Sequence, residues 1–365
     1  MPELIRSPLA EIHLSQGATL GEYHGAQVPT RFQDPKTEHQ AAREAGGLFD
    51  FSFRAKFAVK GADRTSFLHN MLSNDVKGLA AGQGTYACLL DVKGHIIADL
   101  RVYCTPEVLL VDTDADLREK TIETLDRFIV MDEVELEPLN LFAVAFQGPR
   151  SRQLAETVLN LHLSPDEEFR HVMASYAGSS VRVVRASSTG DEGYEVWAEA
   201  EILETLWGAA LRRAVPLGMR PCGTESLETL RIEAGIPRYG SELDEETIPL
   251  EAGLLNALSF NKGCYLGQEI IERARSRGHV NWKLVGLVVA SSAVPAAGER
   301  LFTVGDDKRH LGEITSAGFS PTLGQMLALA YVRREVSEPG ARLVLASGAH
   351  AEVHELPFAK RESGN

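Results

Sequence analysis

The feature that most constrains this chain is a change of pattern near residue 277. Before it, apolar residues at helical spacing alternate with short strand-like runs. After it, only strand-like runs remain, at residues 284–290, 310–317 and 325–332, with two more within 341–354 and Gly and Pro between them. A succession of strands without a helix to cover it must manage its own unpaired edges, and closing into a small antiparallel barrel does so.

The longer first part reads as mixed α and β. Helical spacing or helix stop signals mark 37–45, 62–72, 114–128, 150–159, 201–213 and 225–234. Strand-like runs fall at 55–59, 84–90, 95–103, 108–111, 134–136, 142–146, 181–186 and 194–197, and Asp91-Val92-Lys93-Gly94 is a hairpin signal between two of them. Strands follow one another by hairpins or long returns rather than by regular βαβ steps, and no Gly-x-Gly-x-x-Gly follows a strand, which argues against a dinucleotide fold. The pattern predicts α+β followed by all-β. Residues 1–35, with four prolines, are expected to wrap the surface; 36–277 form the mixed region, 278–359 the barrel and 360–365 a disordered tail.

Net charge is −14, from 37 basic and 51 acidic residues, which argues against DNA or broad nucleic-acid binding. Cys88, Cys104, Cys222 and Cys264 are widely spaced with no Cys-x-x-Cys pair, which fits a reducing compartment. Stable clusters need several thiolates at close spacing, so no resident iron–sulfur cluster and no metal site are expected. No run reaches the roughly 20 apolar residues of a membrane span, and the first eleven residues do not read as a signal peptide. The sequence predicts a cytoplasmic protein.

Four segments have the residues for chemistry. The first is Asn261-Lys262-Gly263-Cys264-Tyr265-Leu266-Gly267-Gln268-Glu269, one thiol between glycines, a cation two residues before it and a polar helix after it. Helix-start N–H groups and Lys262 would favour the thiolate of Cys264; the alternative is a small buried Cys in a Gly-rich turn. In the second, Asp99, Arg101 and Tyr103 share one face of the strand 95–103, either a ligand wall or a solvated face. The third is the helix around Arg231, whose simplest partner is Glu228 at i to i+3. The fourth is a local basic patch, Lys262, Arg273, Arg275, Arg277 and Lys283 against Glu269 and Glu272. It reads either as helix-dipole complementation or as a contact for an anionic partner, a polyglutamate tail or local RNA.

The run Lys-Gly-Cys-Tyr-x-Gly-Gln-Glu, followed by Arg273-Ala-Arg275-Ser-Arg277-Gly278, resembles the signature of the YgfZ family. These are tetrahydrofolate-binding proteins that support iron–sulfur enzymes and are relatives of the aminomethyltransferase (T-protein) of the glycine cleavage system. The resemblance extends from about residue 48 to 356. It implies an aminomethyltransferase-like fold of two discontinuous α+β subdomains plus a C-terminal antiparallel β-barrel. It implies tetrahydrofolate as ligand, iron–sulfur client or assembly proteins as partners, and Cys264 with Lys262 as the working pair.

By the same resemblance Asp99 matches a carboxylate near the reactive nitrogens of folate and Tyr103 an aromatic lining it. Glu195, in Thr189-Gly-Asp-Glu-Gly-Tyr-Glu195, matches the glutamate that binds the pterin ring, the alternative being an exposed strand glutamate. Arg231 matches a folate-contacting arginine in Leu-Arg-x-Glu-Ala-Gly, and Glu251 falls near the pocket. Three positions depart from the aminomethyltransferase pattern: Ala98 replaces an Asp, Arg101 a small aliphatic residue and Ser188 an aromatic. An Arg facing Asp99 is expected to hold it ionised and make it a poorer proton acceptor. The primary expectation is therefore a YgfZ-like protein supporting synthesis or repair of iron–sulfur enzymes, including tRNA-modifying ones. The alternative is a folate-dependent aminomethyltransferase or demethylase.

Overall fold

The computed structural model describes residues 4–164, 167–276, 278–305 and 309–358. The expected disordered tail and Arg277 of the basic patch lie outside the described residues. The chain divides into two compact units, 1–90 with 97–227 and 256–266, and 91–96 with 228–255 and 267–365.

The first unit contains three sheets. A six-stranded sheet runs in the order His171–Tyr176, Ser179–Arg185, Gly193–Ala198, Phe142–Gln147, Gly47–Asp50, Arg220–Pro221. All its neighbours are antiparallel except the last pair. The helices Ser151–Leu159 and Ala200–Ala214 supply Leu154, Val158, Leu203, Leu206 and Trp207 to the core that also holds Val144, Phe146 and Val196. Those residues recur at helical spacing on the helices and at alternate positions on the strands, which is why two different periodicities meet in one core.

A five-stranded sheet runs Gly84–Leu90, Ile96–Cys104, Leu109–Asp114, Arg54–Lys60, Glu135–Leu139. Pro138 sits on the edge strand, where its missing N–H breaks no ladder. One face of this sheet packs Phe57, Val59, Leu100, Val102 and Val111 against Phe67 and Leu68 of the helix Arg64–Met71.

Residues 4–34 do more than the surface wrap expected of them. They build a helix, Ala10–Ser15, and a three-stranded sheet, and Leu9, Ala26 and Val28 are fully buried. Leu9 belongs to the Trp207 core, and His13 bonds Asp50 at 3.0 Å. The prolines suggested a surface segment; the apolar residues between them decide its burial. Asp34 caps the next helix, Pro35–Glu44, by accepting from Thr37 N–H, with Pro35 in the first turn.

The second unit holds a closed antiparallel barrel, as the sequence predicts. Its order is Trp282–Ala290, Gln325–Arg333, His310–Ser320, Arg300–Thr303, Arg342–Leu345, His350–His354, with the last strand paired back to the first. The barrel core is Leu287, Leu301, Ile314, Ala330, Leu343 and Val353 with their neighbours. No helix among the described residues is long and apolar enough to cross a membrane.

Candidate functional site

Asp99, Arg101 and Tyr103 stand on one face of Ile96–Cys104, as alternation requires, but that face is not solvated. Tyr103 is fully buried and the Arg101 side chain is 13 % exposed. Cross-strand register explains how charge is tolerated there. Arg101 lies opposite Asp112, Lys56 opposite the same Asp112, and Arg54 opposite Asp114. Arg54 donates to Asp112 at 2.6 Å and Asp114 at 2.7 Å. The Lys56 ammonium donates to the Arg54 carbonyl at 2.9 Å and lies 5.0 Å from the Trp197 ring centre. Burial pushes the carboxyls of Asp112 and Asp114 up, but the neighbouring cations outweigh it and hold both below the usual range.

The sequence placed Arg101 against Asp99; the structure gives it to Glu195 instead. Arg101 Nη1 donates to Glu195 Oε1 at 2.6 Å, and the guanidinium lies 5.9 Å from the Phe169 ring centre. Glu195 reaches it from Gly193–Ala198 and is fully buried, so it is not an exposed strand glutamate. Its Oε2 accepts from Trp197 Nε1 at 3.0 Å. Both carboxylate oxygens therefore already have protein donors.

The Asp99 carboxyl is shifted in the opposite direction from the one expected. Burial raises its carboxyl above the usual range and the charge of Asp114 adds to the effect, while Arg54, the Tyr86 hydroxyl and Arg101 act against it. Tyr86 Oη donates to Asp99 Oδ2 at 3.0 Å. Asp99 Oδ1 and Tyr103 Oη are buried without a hydrogen-bond partner. Tyr103 packs edge-on against Trp197, with centroids 5.0 Å apart, and against His171 at 5.6 Å. His171 accepts from Arg182 at Nδ1 and bonds the Cys104 carbonyl through Nε2; burial and Arg182 lower its pKa to about 4, so the ring is neutral.

Sequence reasoning missed Tyr86 and Phe169. Phe169 lies stacked near Tyr86 at 6.5 Å and edge-on to Tyr103 at 6.4 Å, with a left-handed φ of 63°. It supplies an aromatic wall where Ser188 does not. Gly84 allows the approach: a Cβ there would meet the Tyr103 ring at 2.7 Å and the Phe169 carbonyl at 2.9 Å. Tyr86 sits at i−13 from Asp99, across a hairpin whose turn the sequence marks, so strand pairing was the available signal.

Lys262 and Cys264 differ in setting. The Lys262 ammonium donates to the carbonyls of His69, Leu72 and Asn74 and lies 5.0 Å from the Tyr265 ring centre. Burial lowers its pKa to about 8. The Cys264 thiol is exposed, so it is not a small buried Cys. The helix begins at Gln268, with Gly267 rather than Cys264 preceding its first turn. In that helix Arg273 pairs with Glu269 and Arg275 with Glu272, so these two cations of the basic patch have acidic neighbours.

Arg231 and Glu251 belong to the second unit. Arg231, 4 % exposed, donates to Glu228 at 2.8 Å, Glu242 at 2.9 Å and Ser316 at 2.6 Å. The Glu228 pairing read from sequence is present, and Glu242 adds to it. Glu242 also accepts from Thr315 and Ser316, consecutive residues that a β-bulge turns toward the same carboxylate. Glu251 is half-buried, and burial raises its carboxyl.

Residues 9–262 match the GCVT N-terminal domain family and residues 283–360 the glycine cleavage T-protein C-terminal barrel domain. An aminomethyltransferase of Rubrobacter xylanophilus is 34% identical over 362 residues, covering 98% of this chain and 95% of that protein. One of Halothermothrix orenii is 31% identical over 358 residues, covering 97% and 99%. The crystal structure of glycine cleavage system aminomethyltransferase T from Bartonella henselae shares the fold, with a TM-score of 0.89 at 24% identity over 98% of each chain.

Proposed function

Because the chain belongs to the glycine cleavage T-protein family, we propose that it binds a reduced folate against the polar face of Ile96–Cys104 and acts as a folate-dependent aminomethyltransferase, the activity for which its curated relatives are named. The observation that carries this reading is the pair Asp99 Oδ1 and Tyr103 Oη, two buried polar atoms without partners on one strand face. Each such atom costs about 1–3 kcal/mol, so the pair is better explained by a ligand that completes it than by packing.

Tetrahydrofolate, when bound, supplies the nitrogens that take up a one-carbon unit. Asp99 would face them. A carboxyl held above the usual range is a stronger base once ionised, and Oδ1 breaks no hydrogen bond in taking a proton. Tyr86 keeps the other oxygen oriented. Tyr103, Phe169 and Tyr86 offer the aromatic surface, and Glu195 could take pterin donors once Arg101 releases Oε1. The objection from Arg101 weakens: its hydrogen bond goes to Glu195, and its pull on the Asp99 carboxyl is outweighed by burial. The partner would be a carrier presenting an aminomethyl group.

The test is calorimetry with tetrahydrofolate, followed by turnover with an aminomethylated lipoyl carrier protein. Asp99→Asn should keep folate binding and lose about 10²–10⁴-fold in rate. No binding of any reduced folate, or full activity of Asp99→Asn, would overturn the reading. The exposed Cys264 favours a second reading, YgfZ-like support of iron–sulfur enzymes, including tRNA-modifying ones, through that thiol. The names of the curated relatives favour the first.

A further inference from the structure

We propose that Lys262 is a positioning residue for Asp99, acting through Asn74 and Tyr86. The inference rests on the reading of Asp99 given above but is carried by a separate set of bonds, all within the first unit. Lys262 Nζ gathers the carbonyls of His69 and Leu72, at the end of the helix Arg64–Met71, together with the Asn74 carbonyl at 3.1 Å. Asn74 turns its side-chain amide to the Tyr86 carbonyl at 2.8 Å and to the Asn256 carbonyl at 2.8 Å. Tyr86 then donates its hydroxyl to Asp99. Beside this chain, Ser73 ties the same loop to both sides: its Oγ donates to the Ala257 carbonyl at 2.6 Å and accepts from Cys88 N–H at 2.8 Å. Residues 73–74 are thus clamped between the segment that carries Lys262 and the strand that carries Tyr86.

Three carbonyl dipoles converge on one point, and a partly buried ammonium is what allows it. Without that cation the carbonyls repel one another and the 72–74 turn must open. Asn74 then loses its register on Tyr86, and Asp99 loses the one donor that fixes its rotamer. The groups that face Asp99 are Tyr86, Asp114, Arg54, Arg101 and Cys88; those that face Lys262 are Asp75, Lys77 and His69. Of the groups that face Asp99, Tyr86 is the one whose position this relay sets. Its hydrogen bond lowers the Asp99 pKa, so disturbing the relay must raise it.

The experiment follows the Asp99 carboxyl itself, by ¹³C NMR titration of the full-length chain labelled at Asp Cγ, with Asp99→Asn for assignment. Tyr86→Phe should move the midpoint upward. Lys262→Met and Asn74→Ala should each move it in the same direction, and Lys262→Met in the Tyr86→Phe background should add nothing. Lys262→Arg, which keeps the charge, should move the midpoint less than Lys262→Met does. Should Lys262→Met fail to fold, Asn74→Ala and Lys262→Arg still decide. An unmoved Asp99 midpoint in Asn74→Ala and in the folded Lys262 variants, whatever their melting temperatures, would overturn the relay. The readout needs no folate, so a protein that does not bind folate would defeat the proposed function while leaving this test intact.

Discussion

The barrel and the five-stranded sheet fill their interiors in opposite ways. The barrel core packs Leu287, Leu301, Ile314, Leu343 and Val353, and charged positions of the barrel, such as Arg342 and Glu352, are exposed. The five-stranded sheet has one apolar face, while the other buries Arg54, Lys56, Arg101, Asp112 and Asp114 in register across strands. Two sheets of similar size thus differ in what their burial can be used for. An apolar core is indifferent to pH; a buried charge network couples folding to ionisation and leaves specific atoms, such as Asp99 Oδ1, without a hydrogen-bond partner.

The sharpest way to break that contrast is to remove one member of the network. Arg54→Ala leaves Asp112 and Asp114 buried beside fewer cations and should cost about 3–5 kcal/mol. The barrel comparison is Leu343→Ala, which loses transfer energy and leaves a cavity, at about 2–5 kcal/mol. Their responses to pH separate the two. The Arg54→Ala penalty should shrink as acid neutralises the two carboxylates, whereas the Leu343→Ala penalty should not. Urea unfolding at several pH values checks both, and an Arg54→Ala penalty that ignores pH would mean the sheet interior is not electrostatically organised.

That contrast also explains what the sequence could and could not convey. Strand runs and Gly–Pro punctuation marked five of the barrel strands, because period-2 burial is written residue by residue. The strand missed is Arg300–Thr303. The resemblance singled out Asp99, Tyr103 and Glu195; Tyr103 and Glu195 are buried and Asp99 is partly so, all in the first unit. The pairing of Arg101 with Glu195 was not legible, because the two residues are 94 positions apart and meet only when two sheets do. Residues at i+2 on one strand look like neighbours, which is why Arg101 was read against Asp99. The state of Asp99 followed the same error: burial, invisible in sequence, outweighs the cation. Lys262 was read beside Cys264 from its place in the motif; the structure adds that it bonds three carbonyls nearly 190 residues or more away in sequence.

A smaller effect sharpens the account of Asp99. Asp112 and Asp114 lie below the usual range, so their contribution to stability is present above about pH 3.9, the unfolded value, and is lost as pH falls through their folded values. Asp99 lies above it, so its favourable contribution is complete below about pH 3.9 and is lost as pH rises through its folded value. Asp99→Asn removes only the second dependence. The variant should match the wild type in acid and become the more stable of the two as pH rises toward neutrality, at the expense of activity. Thermal or urea unfolding across pH 3–8 decides it. A variant less stable than the wild type at neutral pH would mean that the fold favours the charged form of Asp99 rather than penalising it.

The smallest expected effect on stability falls on Cys264, whose role depends on access rather than on packing. Its thiol is exposed, whereas Cys88 and Cys222 are buried and Cys104 is partly so. Burial raises the thiol pKa of all three, withholding the reactive thiolate as well as blocking approach. Cys264 should therefore be the first of the four to alkylate in the folded protein at neutral pH, as mass spectrometry of peptides from a short iodoacetamide pulse would show. Cys264→Ser should change folding stability by no more than about 0.5 kcal/mol, the range for surface substitutions away from special features. It should leave folate binding unchanged as well, since the Asp99 and Tyr103 face contains no part of it. Cells lacking the protein then separate the two functional readings. If Cys264→Ser restores whatever the wild type restores, the thiol is dispensable and the aminomethyltransferase reading stands alone. If it fails only for iron–sulfur enzymes, at matched expression, the exposed thiol is a working group and the second reading holds.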